Sequence, residues 1–452
     1  MNIQRVLQRA KEIAKIPVTD PDYPVETIVD EIRRRKLLLF DNGTAVMKNT
    51  RYFVRLSAEE CEAFIVALLP SEIQNVVSNS MIKEVIKRLR YLPELQIDLH
   101  DEFWKSQNYV NLSSGIYDID RQELVYNRDF IFDYCIDVEY RARSKLEDAP
   151  VFKRFVETSL GLDQLECLLR MLGYCISSLT KGRKAFICYG KGRTGKSTIL
   201  NILESVIGEG LVSHEPFHAM SGERAKAHYH GKRINLSRET STKVNKNEES
   251  FKSLVSCEMT TGSEKYEKSR DFAATLSFVF AGNTDIEFAV TDDAILDRLV
   301  YLMFTKEIPA EDIDLDLEAK LLAEKDIIFS LALDSLKGLI AEKYDFKMGT
   351  AAEEHIRRRR FGIHSTESFL TEKCRLSEGG RVSKVTLFTA YSLFCEANAL
   401  KPEGRNRFYD RVRGFNSVIT DGRVPDSNGN SVQGFHGIAL RSDDGQVEDE
   451  SN

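Results

Sequence analysis

The chain has 452 residues, with 63 Lys and Arg against 70 Asp and Glu and a formal net charge of −7. That length suits two or three domains, and the mild acidity excludes a protein that is basic throughout, so any nucleic-acid contact must come from local patches. Eight cysteines scattered in or beside apolar runs, no signal-peptide pattern in Met1–Arg5 and no apolar run of membrane-spanning length together predict a reduced, cytoplasmic protein with no membrane contact.

Apolar residues at helical spacing predict helices over Asn2–Ile16 and Val25–Leu39, the basic run Arg33–Lys36 reading as a solvated face. A hairpin follows, Leu37–Phe40 turning through Asp41-Asn42-Gly43-Thr44 into Ala45–Met47, then helices Ala58–Leu69 and Asn79–Leu89. A second hairpin spans Tyr109–Asp120. Asp118 and Asp120 form a D-x-D pair there, but their alternation with Ile116 and Ile119 reads more simply as exposed strand-end residues than as a metal site. Residues 1–150 thus make an α+β module, and the amphipathic stretches Phe152–Leu160 and Leu162–Leu179 lead into a second domain, 151–345.

The apolar run Ala185–Tyr189 empties into Gly190-Lys191-Gly192-Arg193-Thr194-Gly195-Lys196-Ser197-Thr198, followed by helix-like spacing to Val206. The pattern G-x-x-x-x-G-K-S between a strand and a helix is a phosphate-binding loop. Its glycines let the backbone wrap an anion, the helix start adds positive potential, Lys196 meets the β and γ phosphates of ATP, and the Ser197 hydroxyl ligates Mg²⁺. Three more strands are predicted. Lys232–Glu239 reads as a strand ending in a carboxylate, Glu239, a candidate to deprotonate the attacking water and a second oxygen donor beside the metal. Leu276–Ala281 ends at Asn283, where a γ-phosphate sensor would sit, and Leu299–Phe304 follows Asp297-Arg298. Strands with polar ends and helices between them predict a parallel α/β sheet with its ligand at the strands' carboxyl ends. His214, His218, His228 and His230 have partly zinc-like spacing, but no cysteine is near and the segment reads as a surface loop.

Residues Leu315–Tyr344 and Glu353–Arg360 are helical. Helices Glu367–Cys374, Lys384–Ala397 and Arg405–Phe415, then a hairpin pairing Ser417–Ile419 with Phe435–Leu440, predict a winged-helix domain over 346–440, and 441–452 is an acidic tail. The third helix carries Arg405, Arg407, Arg411 and Arg413, a face suited to DNA phosphates, although winged folds also serve protein contacts.

The order GKGRTGKS, INLSRET, FKSLVSCEMTTGSEKY, FAGN and DDAILDRL resembles superfamily 3 helicases, most of all the phage, plasmid and poxvirus-type replicative helicase group, over roughly residues 100 to 440. Tyr109–Asp120 and Pro150–Leu179 also resemble the module that precedes the motor in that group, of the primase-helicase linker type. The resemblance implies a P-loop, AAA+-like motor working as a homohexamer on single-stranded and forked DNA with 3′ to 5′ polarity, alongside a separate primase or other replisome proteins. It implies Glu239 as catalytic acid, Asn283 as sensor, Arg298 as an arginine finger given to a neighbouring subunit, and Lys265, Tyr266 and Lys268 as DNA contacts in a pore hairpin, Glu258–Phe272. Ser237 stands where many P-loop enzymes have a magnesium-binding Asp, which leaves ligation beyond Ser197 open. Two rivals remain: an initiator or loader that binds duplex DNA without processive unwinding, and a small-molecule kinase, for which Asn283, Arg298 and the basic carboxyl domain have no use. Primase activity is not expected, since little more than about a hundred residues precede the resemblance.

Overall fold

The computed structural model describes residues 3–17, 24–49, 51–125, 130–239, 243–263, 270–289, 291–309, 311, 313–426 and 429–441. The chain forms two compact units, Met1–Val290 with Arg298–Gly349, and Thr291–Asp297 with Thr350–Asn452. Among the described residues no helix is long and apolar enough to cross a membrane.

The first unit begins with α1 (Ile3–Glu12), α2 (Pro24–Arg35), β1 (Leu38–Asp41), β2 (Thr44–Lys48), β3 (Phe53–Arg55), α3 (Ala58–Leu68), α4 (Ser71–Gln74), α5 (Asn79–Arg90), β4 (Gln96–Ile97) and α6 (Leu99–Lys105). Its sheet runs β3-β2-β1-β4. The β1–β2 turn holds both Asn42 and Gly43 at positive φ, as a two-residue hairpin turn requires, and Asp41 pairs with Thr44. α3 starts with a capping box, the Glu60 amide donating to Ser57 Oγ and the Ser57 amide to the Glu60 carboxylate. These elements share a core running from Val6 to Leu99.

Strands β5 (Tyr109–Leu112), β6 (Gly115–Asp118) and β7 (Glu123–Val125) form an antiparallel meander that packs into a second core, shared with the central sheet and reaching Phe346. Asp118 departs from the exposed position expected of it. It is buried, because its Oδ1 accepts the amides of Asp120 and Arg121 and so closes the turn after β6, whereas Asp120 is exposed.

The chain then runs through α7 (Pro150–Ser159), α8 (Leu165–Ile176), β8 (Ala185–Gly190), α9 (Lys196–Ile207), β9 (Val212–Ser213), α10 (Glu223–Tyr229), β10 (Ile234–Ser237), α11 (Glu248–Val255), β11 (Met259–Gly262), β12 (Arg270–Ala273), β13 (Ser277–Gly282), α12 (Asp293–Leu296, part of the second unit), β14 (Leu299–Phe304), α13 (Leu317–Ala323) and α14 (Lys325–Ala341). The central sheet is parallel throughout, in the order β14-β8-β13-β10-β9. The four expected strands are there, and the fifth, β9, adds an edge too short to leave an apolar run. β10 and β13 are buried along their whole length, as a parallel sheet covered on both faces demands.

The second unit continues with α15 (Thr350–Ile363), α16 (Ser365–Lys373), β15 (Cys374–Ser383), α17 (Lys384–Ala397), α18 (Arg405–Phe415), β16 (Thr420–Pro425) and β17 (Ser431–Leu440). Its three helices α16–α18 pack one core with an antiparallel sheet ordered β15-β17-β16. Two details differ from expectation. The strand paired with β17 is Thr420–Pro425 instead of Ser417–Ile419, and β15 adds a third strand. The middle of β15 is charged, glycine-rich and exposed, so it carries no strand pattern of its own.

The meander and the segment after it are riveted to α14: the hydroxyls of Tyr117, in β6, and Tyr140, ahead of α7, both donate to Asp334 Oδ1, each at 2.8 Å. Burial raises the Asp334 carboxyl above its ordinary range, and this outweighs the two hydroxyl bonds that favour the anion. A carboxyl that holds its proton more tightly when folded loses stability as pH rises from its unfolded range through the raised one. The expected outcome is that wild type loses thermal stability relative to Asp334→Asn between about pH 4 and pH 7. Unfolding midpoints measured at both pH values check this, an unchanged difference counting against it.

Candidate nucleotide-binding site

The phosphate loop leaves β8 in the middle of the sheet, with β14 on one side and β13 on the other. Gly190 is pressed against the end of β14: a Cβ there would lie 2.1 Å from the Phe304 carbonyl oxygen. Gly195 has φ +90, and its Cβ would meet the Phe155 ring of α7 at 2.6 Å. Arg193 also takes a positive φ, and its carbonyl accepts the Ile308 amide at 3.0 Å, which ties the loop to the segment after β14. Thr194 is buried, with Oγ1 donating to the Lys191 carbonyl at 3.0 Å.

Lys196 opens α9 and is buried among loop atoms. Its Nζ donates to the Gly190 carbonyl at 2.8 Å, to the Lys191 carbonyl and to Thr194 Oγ1. Burial holds this amine below the ordinary lysine range. The N-cap of α9 is Gly195, which has no side chain to take up the amides of the first turn, and Ser197 lies exposed beside them. A buried ammonium, a helix start without a capping side chain and a glycine-cradled loop fit an anionic oxygen ligand.

Register places the other candidates. β10 ends at Ser237, level with Phe280 of β13 and hence with Ile187 of β8, and β13 ends at Gly282, level with Tyr189. Glu239 and Asn283 therefore leave the same carboxyl edge as the loop, and both are exposed. With neighbouring strands about 4.8 Å apart, Asn283 leaves one strand from the loop and Glu239 two, roughly 10 Å away. The turn after Asn283 is held by Asp285, whose Oδ1 accepts the Tyr301 hydroxyl at 2.6 Å. An exposed hydroxyl and carboxylate at one edge are hard oxygen donors of the kind Mg²⁺ takes, so Ser197 and Glu239 fit such an ion.

Sequence reasoning missed the residue before Glu239. Arg238 donates from Nε and Nη2 to Asn201 Oδ1 at 3.3 and 3.0 Å and pairs with Glu204, both on α9. Their 34 to 37 residues of separation leave no local signal. Of the four histidines, His214 pairs with the same Glu204 at 3.1 Å and His228 with Glu215 at 2.6 Å.

Arg298 lies at the opposite edge. It immediately precedes β14, whose first residue, Leu299, is level with Ala185 at the start of β8, and its carbonyl accepts the Ala185 amide at 2.8 Å. The length of β8, roughly 20 Å at about 3.3 Å per residue, separates it from its own loop. Lys265, Tyr266 and Lys268 fall outside the described residues. The strands flanking them, β11 and β12, pair antiparallel from Met259↔Ala273 to Gly262↔Arg270. A cavity of about 830 Å³ lies away from the loop, at the other end of α9, lined by β3, the β1–β2 turn and residues 205–211.

In α18 the arginines divide into two kinds. Arg405 is exposed, 5.3 Å over the Phe388 ring, and Arg407 is exposed with Glu403 3.8 Å away. Arg411 is half-buried and bound to both oxygens of Glu367 at 2.9 and 3.0 Å, to Glu403 at 3.2 Å and to the Ile363 carbonyl. Arg413 pairs with Asp421 at 2.7 Å and with Asp410.

The architecture is a mixed α/β protein with a parallel sheet and an amino-terminal α+β module. Residues 28–161 match the family described as D5 N terminal like, and residues 188–298 match a family of unknown function (DUF5906). The chain shares the fold of a solved structure, the apo NrS-1 C terminal region (305-718), at 13% identity and TM-score 0.51 over 93% of this chain and 100% of that one. Two A-form apo structures of the same region align at TM-score 0.48 with 11% and 12% identity, over 94% and 93% of this chain and 100% of theirs. No curated protein matches the chain.

Arg411→Ala would leave Glu367 and Glu403 without their common partner, and the second unit should lose about 1–3 kcal/mol. Arg405→Ala should cost under about 0.5 kcal/mol, as at most exposed sites. Chemical denaturation of the two variants beside wild type checks this, and equal midpoints would contradict it.

Proposed function

We propose that this chain is an ATP-driven DNA helicase for the replication of a phage, plasmid or other mobile element, built on an AAA+-like motor and working as a homohexamer on single-stranded and forked DNA. The observation that carries the reading is the placement of the candidate residues at two opposite edges of the same sheet. Lys196, Ser197, Glu239 and Asn283 leave the carboxyl edge, while Arg298 stands at the foot of the same strands, out of reach of its own loop. Such a placement suits subunits arranged head to tail, where each gives an arginine to its neighbour's nucleotide and the contact closes into a ring. The D5 N terminal like match over residues 28–161 and the fold shared with the NrS-1 C terminal region stand beside this reading as what the chain is similar to.

In this reading the backbone from Gly190 to Thr198 cradles the ATP phosphates and Lys196 neutralises them, exchanging its bonds to loop carbonyls for phosphate oxygens. Ser197 and Glu239 hold Mg²⁺, which neutralises phosphate charge when bound. Glu239 takes the proton of the attacking water, and Asn283 orients the γ-phosphate. Lys265, Tyr266 and Lys268 touch the translocating strand by phosphate neutralisation and base stacking, so their contacts are indifferent to sequence. The second unit is a winged helix that presents Arg405 and Arg407 to duplex DNA, with a 3′ to 5′ direction of travel and a separate primase as partner.

Lys196→Ala should abolish hydrolysis and strand displacement, and Glu239→Gln should bind ATP without turning it over. Wild-type turnover in Glu239→Gln would reject the base. Forked substrates test the motor itself, since ATP hydrolysis with tight fork binding and no strand displacement would make the protein a loader instead.

Arg298→Ala should be nearly inactive, because such a finger is worth on the order of 10³ to 10⁵ in rate. Mixing Arg298→Ala with Lys196→Ala and letting subunits exchange should restore part of the ATPase, with a maximum at intermediate ratios, since one whole site forms wherever the two meet in the right order. A mixture that shares rings and shows no single-turnover hydrolysis would reject action in trans.

A further inference from the structure

Glu239 stands two residues past the end of β10, and its carbonyl takes a long bond, 3.4 Å, from Ser237 Oγ. A carboxylate on such a strand end has to be aimed by something else. The neighbouring residue, Arg238, reaches back to α9, the helix that opens at Lys196. Ser197, Asn201 and Glu204 are spaced four and three residues apart and so lie along one stripe of α9. Arg238 grips the last two of them, bonding Asn201 Oδ1 from both Nε and Nη2 and Glu204 from Nη2. Its partners are themselves held. Asn201 Nδ2 donates to Glu318 of α13 at 2.8 Å, and Glu204 pairs with His214, whose Nδ1 lies 3.1 Å from the Leu236 carbonyl of β10.

We propose that Arg238 is a positioning residue, whose fork onto Asn201 and Glu204 locks the end of β10 to the helix of the phosphate loop and so fixes the direction in which Glu239 leaves the strand end. The proposal rests on the reading of Glu239 as the base. Magnitude separates it from a mere surface ion pair. Arg238 is 39% exposed at its side chain, and a pair in such a place adds at most about 1 kcal/mol to stability. A misplacement of about 1 Å at a reacting group, by contrast, costs roughly a hundredfold in rate. The clamp therefore acts on turnover far more than on folding.

The test uses the full-length protein with Mg²⁺ and compares Arg238→Ala, Arg238→Lys, Asn201→Ala and Glu239→Gln by steady-state ATPase, binding of a fluorescent ATP analogue and unfolding midpoint. Arg238→Ala should lower kcat roughly 10- to 100-fold while KM, analogue binding and midpoint stay near wild type. Arg238→Lys should recover part of kcat, because an ammonium reaches Glu204 but cannot fork onto both partners. Asn201→Ala should add little in the Arg238→Ala background, since the two act as a unit. A dead Glu239→Gln beside a wild-type kcat in Arg238→Ala would overturn the clamp and spare the base. Turnover in Glu239→Gln would overturn both. A fall in kcat matched by a fall in midpoint, with no recovery in Arg238→Lys, would make Arg238 structural and overturn the proposal as well.

Discussion

A loop that wraps an anion has to bring backbone against backbone, and here the closeness is set at its two ends by Gly190 and Gly195. Any side chain at Gly190 would drive into the carbonyl of Phe304, and any at Gly195 into the ring of Phe155. β14 and α7 are thus packed to the loop as tightly as atoms allow, and their spacing fixes where Lys196 emerges. Parallel register does the rest. Once β8 is seated between β13 and β14, the carboxyl ends of β8, β10, β13 and β14 come within three residues of one level, and the polar residues that follow them leave the same edge.

The same register explains why Arg298 stands far from its own loop. A parallel strand keeps its two ends apart by its full length, so a residue before β14 and a residue after β8 stand at opposite edges whatever their side chains do. Arg298 therefore stands apart from the nucleotide-site candidates Lys196, Ser197, Glu239 and Asn283, which leave the opposite edge. This is a property of sheet direction more than of the residue, and it holds for any conformation that preserves the pairing of Leu299 with Ala185.

Much of this arrangement was legible because its signals are local. Gly190–Ser197 announces itself within eight residues, Asn42-Gly43 marks its turn in two, and the strands β8, β13 and β14 stand out as largely apolar runs bounded by polar residues. What escaped is long-range or unpatterned. β9 has two residues, and β15 wears charges because its middle faces solvent and finds its partner in β17. Asp118 looked like an exposed strand end because alternation says nothing of the turn amides it caps. Arg238 and Asn201 meet across 37 residues, and nothing in either neighbourhood foretells it.

The arginines of α18 show the same limit from the charge side. Four of them at near-helical spacing read as one basic face, yet a cation displayed to a partner must not be spent inside the fold. Arg411 satisfies Glu367 and Glu403 together, and these lie 44 and 8 residues away, beyond any window that reads charge along a helix. Arg413 is spent likewise on Asp421 and Asp410. What remains for an anionic partner is the amino-terminal half of the helix, with Arg405 resting on the Phe388 ring and Arg407 in solvent beside Glu403. Phosphate recognition from this helix would therefore be carried by its first turn, where the helix dipole also favours negative charge, and its last turn would serve to hold the unit together.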